Sequence, residues 1–129
     1  MPIFNSPEQA IKVFSGLFEI LIKDDGFARR MRDSQISLHL IQTRPEFELS
    51  VTPDDVTLGA PERAAAIRIK MSSDTAHSLW LGKLLMPVAL ATGKVRIKGN
   101  VAKVLEFVPL LQPAFDQYPE IAESEGLPT

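Results

Sequence analysis

The sequence predicts an α+β domain, a sheet with helices over one of its faces. Three observations carry this. The apolar period runs from helical spacing to strict alternation and back again along the chain. The alternating runs are half polar, so their sheet has one face in water and one face covered. The 129 residues, 45% hydrophobic and free of cysteine, suffice for one self-supporting core.

The elements follow in order. Ser6-Pro7-Glu8-Gln9 starts a helix, with serine at the N-cap, proline at the first helical position and Gln9 placed for a capping box. Ile11, Phe14, Leu17, Phe18, Leu21 and Ile22 give that helix an apolar stripe. Asp24-Asp25-Gly26 ends it, and residues 27–32 add a short basic helical turn. From Ile36 the period becomes two. Ile36, Leu38 and Leu40 form a first strand that Arg44-Pro45 breaks. Phe47, Leu49 and Val51 form a second, and Pro53-Asp54 turns the chain into a third at Val56-Thr57-Leu58. Ile67, Ile69 and Met71 alternate with Arg68 and Lys70 in a fourth.

Ser72-Ser73-Asp74 opens a helix over about 75–81 that stops at Gly82. A helical piece follows Pro87 and stops at Gly93. Val95 and Ile97 alternate with Lys94, Arg96 and Lys98 in a fifth strand. Gly99 makes a turn that a Cβ would hinder, and Asn100 caps the next helix. Val101, Val104, Leu105, Val108 and Leu111 form its expected apolar face, which Pro109 kinks or splits. Residues 113–123 add one or two turns before a polar tail.

The catalytic inventory is thin. Absent cysteine excludes disulfides, thiolate zinc sites and thiol catalysis. No HExxH, GxSxG, P-loop or strand-linked GxGxxG occurs. Nothing brings His39 and His77 together. Asp74, His77 and Ser78 suggest a triad, but adjacent helical residues point apart, so His77 and Ser78 do not share a proton. Asp24-Asp25 and Asp54-Asp55 sit at element boundaries, where carboxylates cap helices or build turns. Neither pair offers enough ligands for a metal. No cofactor and no metal is expected. The opening MPIFNSPEQA lacks a basic region followed by a long apolar one, and the apolar run 79–92 is too short to span a bilayer. The expected location is the cytoplasm.

The net charge of −2 is uneven, +7 between Arg63 and Lys103 against −9 elsewhere. Arg68 and Lys70 share one side of their strand, as do Lys94, Arg96 and Lys98 of theirs. Three readings stand: a wet sheet face paired to Glu46 and Glu48, a surface for anionic lipid head groups or a coenzyme A phosphate, or nucleic acid. The last lacks the stacking aromatics it would bring, so no nucleic-acid partner is expected. Leu79, Trp80, Leu81, Leu84, Leu85, Met86, Val88, Ala89 and Leu90 crowd one segment, and Phe107, Val108, Leu110, Leu111 and Phe115 another. Leu84, Leu85 and Met86 cannot all face one way on a regular helix. Either the core is thick, or the chain walls an apolar cavity, for which methionine and leucine are adaptable linings.

At these residues the sequence resembles the sterol carrier protein type two family of lipid-binding domains. The matching features are the helix entry SSDT, Gly82-Lys83, a proline-containing apolar helix, Gly93-Lys94, the strand KVRIK, and Gly99-Asn100 opening a helix. Together they read G-K-x9-G-K-apolar-basic-apolar-K-G-N. The likeness is strongest over 65–110. It implies a five-stranded, mainly antiparallel sheet with helices on one face, and between the layers a tunnel for fatty acyl chains, acyl-coenzyme A, sterols or other lipids. It implies no catalytic residues.

The expectation is therefore one domain over 1–129, with 115–129 as a C-terminal extension, acting as a non-enzymatic lipid or acyl-chain carrier. Trp80, Leu84, Met86, Val108, Leu111 and Phe115 are assigned to the tunnel wall by the resemblance and by apolar crowding, with Met71 and Ile97 as its floor. Phe18, Leu90 and Val104 complete the expected ligand-binding set. Arg68, Lys70, Lys94, Arg96 and Lys98 are the expected contact with an anionic membrane surface. The alternatives are a filled-core interaction or homodimerisation module, motivated by the apolar segment 110–118, and an accessory in isoprenoid or quinone metabolism.

Overall fold

The computed structural model describes residues 3–129. Helix α1 (Pro7–Lys23) starts as its capping residues dictate: Ser6 Oγ accepts from Gln9 N at 3.1 Å. Gln9 reaches back to accept from Asn5 N at 2.8 Å, one residue upstream of the usual box position. Asp24 closes α1 and caps α2 (Asp25–Asp33), its side chain accepting from Phe27 N.

The first strand begins two residues later than its alternation suggests. Ile36 closes α2 instead. Its N–H donates to Met31 O and that of Gln35 to Arg32 O, with Gln35 at φ +54°, a Schellman cap. The strands are β1 (Leu38–Thr43), β2 (Phe47–Val51), β3 (Val56–Leu58), β4 (Ile67–Ser72) and β5 (Val95–Lys98), in the spatial order β3-β2-β1-β4-β5. Three junctions are antiparallel and β1–β4 is parallel, so the sheet is mixed and mainly antiparallel. Gly99, at φ +128°, is obligatory: a Cβ there would lie 2.7 Å from Ala66 O.

The helical layer continues with α3 (Ser73–Trp80), α4 (Met86–Ala91) and α5 (Val101–Glu106), then a 3-10 turn (Val108–Leu111) and α6 (Gln112–Ser124). Pro109 does split the apolar run, because it cannot supply an amide to continue α5. The expected apolar face of that run is not buried as a unit. No α5 residue is buried, and Val101 and Leu105 stand at the surface.

The stretch after Pro113 is longer than one or two turns. α6 runs for 13 residues, with Pro119 inside it, and packs against α1. Ala114, Tyr118 and Ala122 are fully buried, and Leu127 nearly so. The segment 110–118 is thus no exposed apolar tail, because its helix fills the α1 side of the core.

Candidate functional site

The two halves of the sheet are covered differently. Over β2 and β3 lies α1, whose Val13, Phe14, Leu17 and Leu21 are buried to within 1% of completeness, opposite the fully buried Leu49 and Val51. Over β1 and β4 the helices are short, and a cavity of about 400 Å³ remains. That size falls in the ~300–1,000 Å³ range of small-molecule sites.

The floor of the cavity is the inward face of the two parallel strands. Leu38, Leu40 and Gln42 of β1 line it beside Ile67, Ile69 and Met71 of β4, and the register sets these residues side by side in pairs. The walls come from seven helical segments. α1 contributes Phe18, and α2 contributes Phe27 and Met31. α3 and the turn after it contribute Leu79, Trp80, Gly82, Leu84 and Leu85, followed by Met86 and Pro87. Val104 and Phe107 come from α5 and its end, Val108 and Leu111 from the 3-10 turn, and Phe115 from α6.

Aromatic rings hold the walls in place. Trp80 lies 5.2 Å from Phe115 and meets Phe18 edge-on at 5.8 Å, while Phe27 meets Phe107 edge-on at 5.5 Å. Leu85 lines the cavity and is 65% exposed, which places it at the opening. No Asp, Glu, Lys, Arg or His lines the cavity among the described residues.

Of the residues singled out from sequence, Phe18, Met71, Trp80, Leu84, Met86, Val104, Val108, Leu111 and Phe115 come together at this cavity. Leu90 and Ile97 do not. β5 is an edge strand with α4 lying against it, and Ile97 and Leu90 are half-buried against the core without lining the cavity. Sequence reasoning missed Phe27, Met31, Ile36 and Phe107, and on the floor Leu38, Leu40, Gln42, Ile67 and Ile69. The floor was within reach: once Met71 is placed there, period two brings Ile67 and Ile69 with it.

The polar groups outside the cavity are structural. His77 is buried; its Nε2 lies 2.7 Å from Pro128 O and its Nδ1 2.7 Å from the Tyr118 hydroxyl. A carbonyl only accepts, so Nε2 carries the proton, and Tyr118 donates to Nδ1. Burial, with a smaller contribution from Lys83, lowers the His77 pKa against the raising effect of the Pro128 carbonyl bond and Asp74; burial also pushes the Tyr118 hydroxyl up. Both ring nitrogens of His77 are therefore taken, and Asp74 Oδ1 accepts from Ile3 N at 3.1 Å. Those contacts leave no arrangement in which Asp74 and His77 activate Ser78. Asp55 builds its turn with Thr52. No group of three or more His, Cys, Asp or Glu fit for a metal occurs among the described residues.

On the outer sheet face, Arg68 stands opposite Lys98 and Lys70 opposite Arg96, all four exposed. The expected pairing with Glu46 and Glu48 does not form. β1 separates β2 from β4, and Glu48 instead bonds His39 at 2.7 Å. None of the four basic groups enters an ion pair among the described residues. No helix of the described residues is long and apolar enough to cross a membrane.

The mixed sheet, its one-sided helical cover and the apolar hollow between them define a two-layer α+β protein with an internal chamber. The pattern of the SCP-2 sterol transfer family matches residues 6–112, and the chain belongs to that family. Among solved structures it is similar to apo sterol carrier protein 2 from Yarrowia lipolytica (19% identity, TM-score 0.66, covering 90% of this chain and 99% of that one). Sterol carrier protein domain 2 of Helicoverpa armigera gives 18% identity and a TM-score of 0.67, covering 87% and 94%. Sterol carrier protein 2 from Aedes aegypti, solved in complex with palmitate, gives 16% and 0.60, covering 81% and 96%. No curated protein sequence matches.

Proposed function

We propose that the protein is a non-catalytic carrier that holds a fatty acyl chain or a comparable lipid in the chamber between sheet and helices. The observation that carries this reading is a cavity of about 400 Å³ whose wall is almost wholly hydrocarbon and bears no charge. Phe18, Met71, Trp80, Leu84, Met86, Val104, Val108, Leu111 and Phe115 are its proposed ligand contacts. Family membership and the palmitate complex of the mosquito relative support it. The energetics suffice: each buried methylene stabilises by roughly 0.8 kcal/mol, so ten contribute roughly 8 kcal/mol gross. After ordering costs this corresponds to affinity near the micromolar range.

Trp80 is the single tryptophan and part of the wall, so it reports on the site. Palmitate is expected to shift its emission saturably, and native mass spectrometry should show one added chain per protein. A flat titration across fatty acids, fatty alcohols and sterols would overturn the reading.

The basic outer face fits a membrane role. Like charges placed directly opposite one another destabilise a sheet, and Arg68, Lys70, Arg96 and Lys98 keep that arrangement with no ion pair to a carboxylate among the described residues. An anionic bilayer relieves it. Co-sedimentation with phosphatidylserine vesicles, lost in high salt and in R68E/R96E, is the expected result. Equal binding to neutral vesicles would refute it.

A further inference from the structure

Gln42 is out of place. It occupies an inward position of β1, in step with Leu38 and Leu40, on the floor of an otherwise apolar chamber. It is 4% exposed. Burying an amide without partners is unfavourable, so such groups are hydrogen-bonded or meet something. Half of this amide is accounted for: Oε1 accepts from Ser73 Oγ at 3.3 Å, a hydroxyl shared with Pro45 O. Nε2 makes no hydrogen bond among the described residues. Yet no buried side-chain nitrogen or oxygen there is sealed in without a partner. Nε2 therefore reaches open space, and the space that Gln42 borders is the cavity.

Resting on the carrier reading above, we propose that Gln42 Nε2 binds the polar end of the lipid, and that this end is a neutral oxygen, a hydroxyl or a carbonyl. The Ser73 bond orients the amide so that its donors face the cavity. The absence of any charged residue on the wall sets the ligand class. An ionised carboxylate or phosphate brought to Gln42 would lose its hydration with no cation to offset the loss. A hydroxyl or ketone loses far less and gains one directed bond. Among the described residues, the only other donor-bearing side chain on the wall is Trp80, through its indole N–H. A lipid with a neutral head thus enters head first, whereas an ionised fatty acid leaves its carboxylate at the opening by Leu85.

The test uses four probes of equal chain length, 1-dodecanol, 2-dodecanone, dodecane and dodecanoate, titrated against Trp80 fluorescence in the parent protein and in Gln42→Met. The variant is expected to weaken the alcohol and the ketone roughly three- to tenfold relative to dodecane and dodecanoate, the loss of one neutral hydrogen bond. In the parent, the Gln42 side-chain amide NMR resonances should move with 1-dodecanol and stay fixed with dodecane, a readout independent of the variant's folding. Equal change for all four probes, change for none, or an amide resonance blind to the alcohol would overturn the assignment while leaving the carrier intact. Failure of the parent to bind any of the four would overturn the carrier reading, and this assignment with it.

Discussion

The β2–β3 half of the sheet and the β1–β4 half face the same helical layer, yet one is solid and the other hollow. Over the first lies a single uninterrupted helix of 17 residues, whose apolar stripe meets Leu49 and Val51 and whose Phe14 stacks on Phe47 and Tyr118. Around the second, the wall is pieced together from the ends of several helices, among them pieces of eight, six, six and four residues, two of them opening on Pro87 or Pro109. A long helix sets one crossing angle and fills its groove with ridges. Short pieces with separate axes meet the sheet at few points, and their side chains meet one another across a gap. Hydrophobic content is shared by the two halves. Continuity of the covering backbone is what differs.

The largest test of that contrast removes side chains. Phe14→Ala, in the solid half, should cost about 3–5 kcal/mol by urea unfolding, since it opens a void the fold does not have. Leu84→Ala, on the cavity wall, should cost about half of that or less, because it enlarges a space that already exists. Equal losses would break the comparison.

Adding volume is the next test, with the opposite sign. Val13→Phe should destabilise by about 1–3 kcal/mol through overpacking. Val104→Trp should leave the unfolding midpoint nearly unchanged and abolish the Trp80-reported uptake of palmitate, best read with Trp80→Phe as the background to separate the two indoles.

The smallest effect sharpens the seam between the halves, where His77 and Tyr118 tie α3 to α6 one turn from the Trp80–Phe115 contact. The folded-state pKa of His77 lies below its ordinary 6.5. Below pH 6.5 the unfolded chain then binds a proton that the native state refuses, so stability is complete above that pH and is lost as pH falls toward the lowered value. The urea midpoint should drop between pH 7.5 and 5.5, and His77→Gln should flatten that drop. A parallel drop in the variant would assign the effect to other groups.

Much of the fold was legible because its signals are local. Gly82, Gly93, Gly99-Asn100 and Pro109 mark boundaries where the backbone changes, and Met71 could be placed on the floor by counting in twos. Gln42 is hard to read because Arg44-Pro45 ends the strand two residues on and a glutamine does not extend an apolar alternation. It was nonetheless readable as a polar residue in phase with Leu38 and Leu40. Phe27 and Met31, four apart in a short charged helix, gave too weak a stripe to weigh. α6 was undervalued because prolines 113 and 119 count against a helix locally, while its real support is distant, in Phe14 and His77. Leu90 and Ile97 were misplaced for the converse reason: being apolar and inward does not say which neighbour covers a residue.

By itself the sequence determined most of the boundaries between elements, which strand positions face inward, and the outward basic rows. These depend on residues within a turn or two of each other. Which half of the layer would be solid, and that Gln42 would open onto a void, were decided only by tertiary structure. A cavity is a shortfall in packing summed over seven helical segments and two strands, and no window of sequence contains that sum.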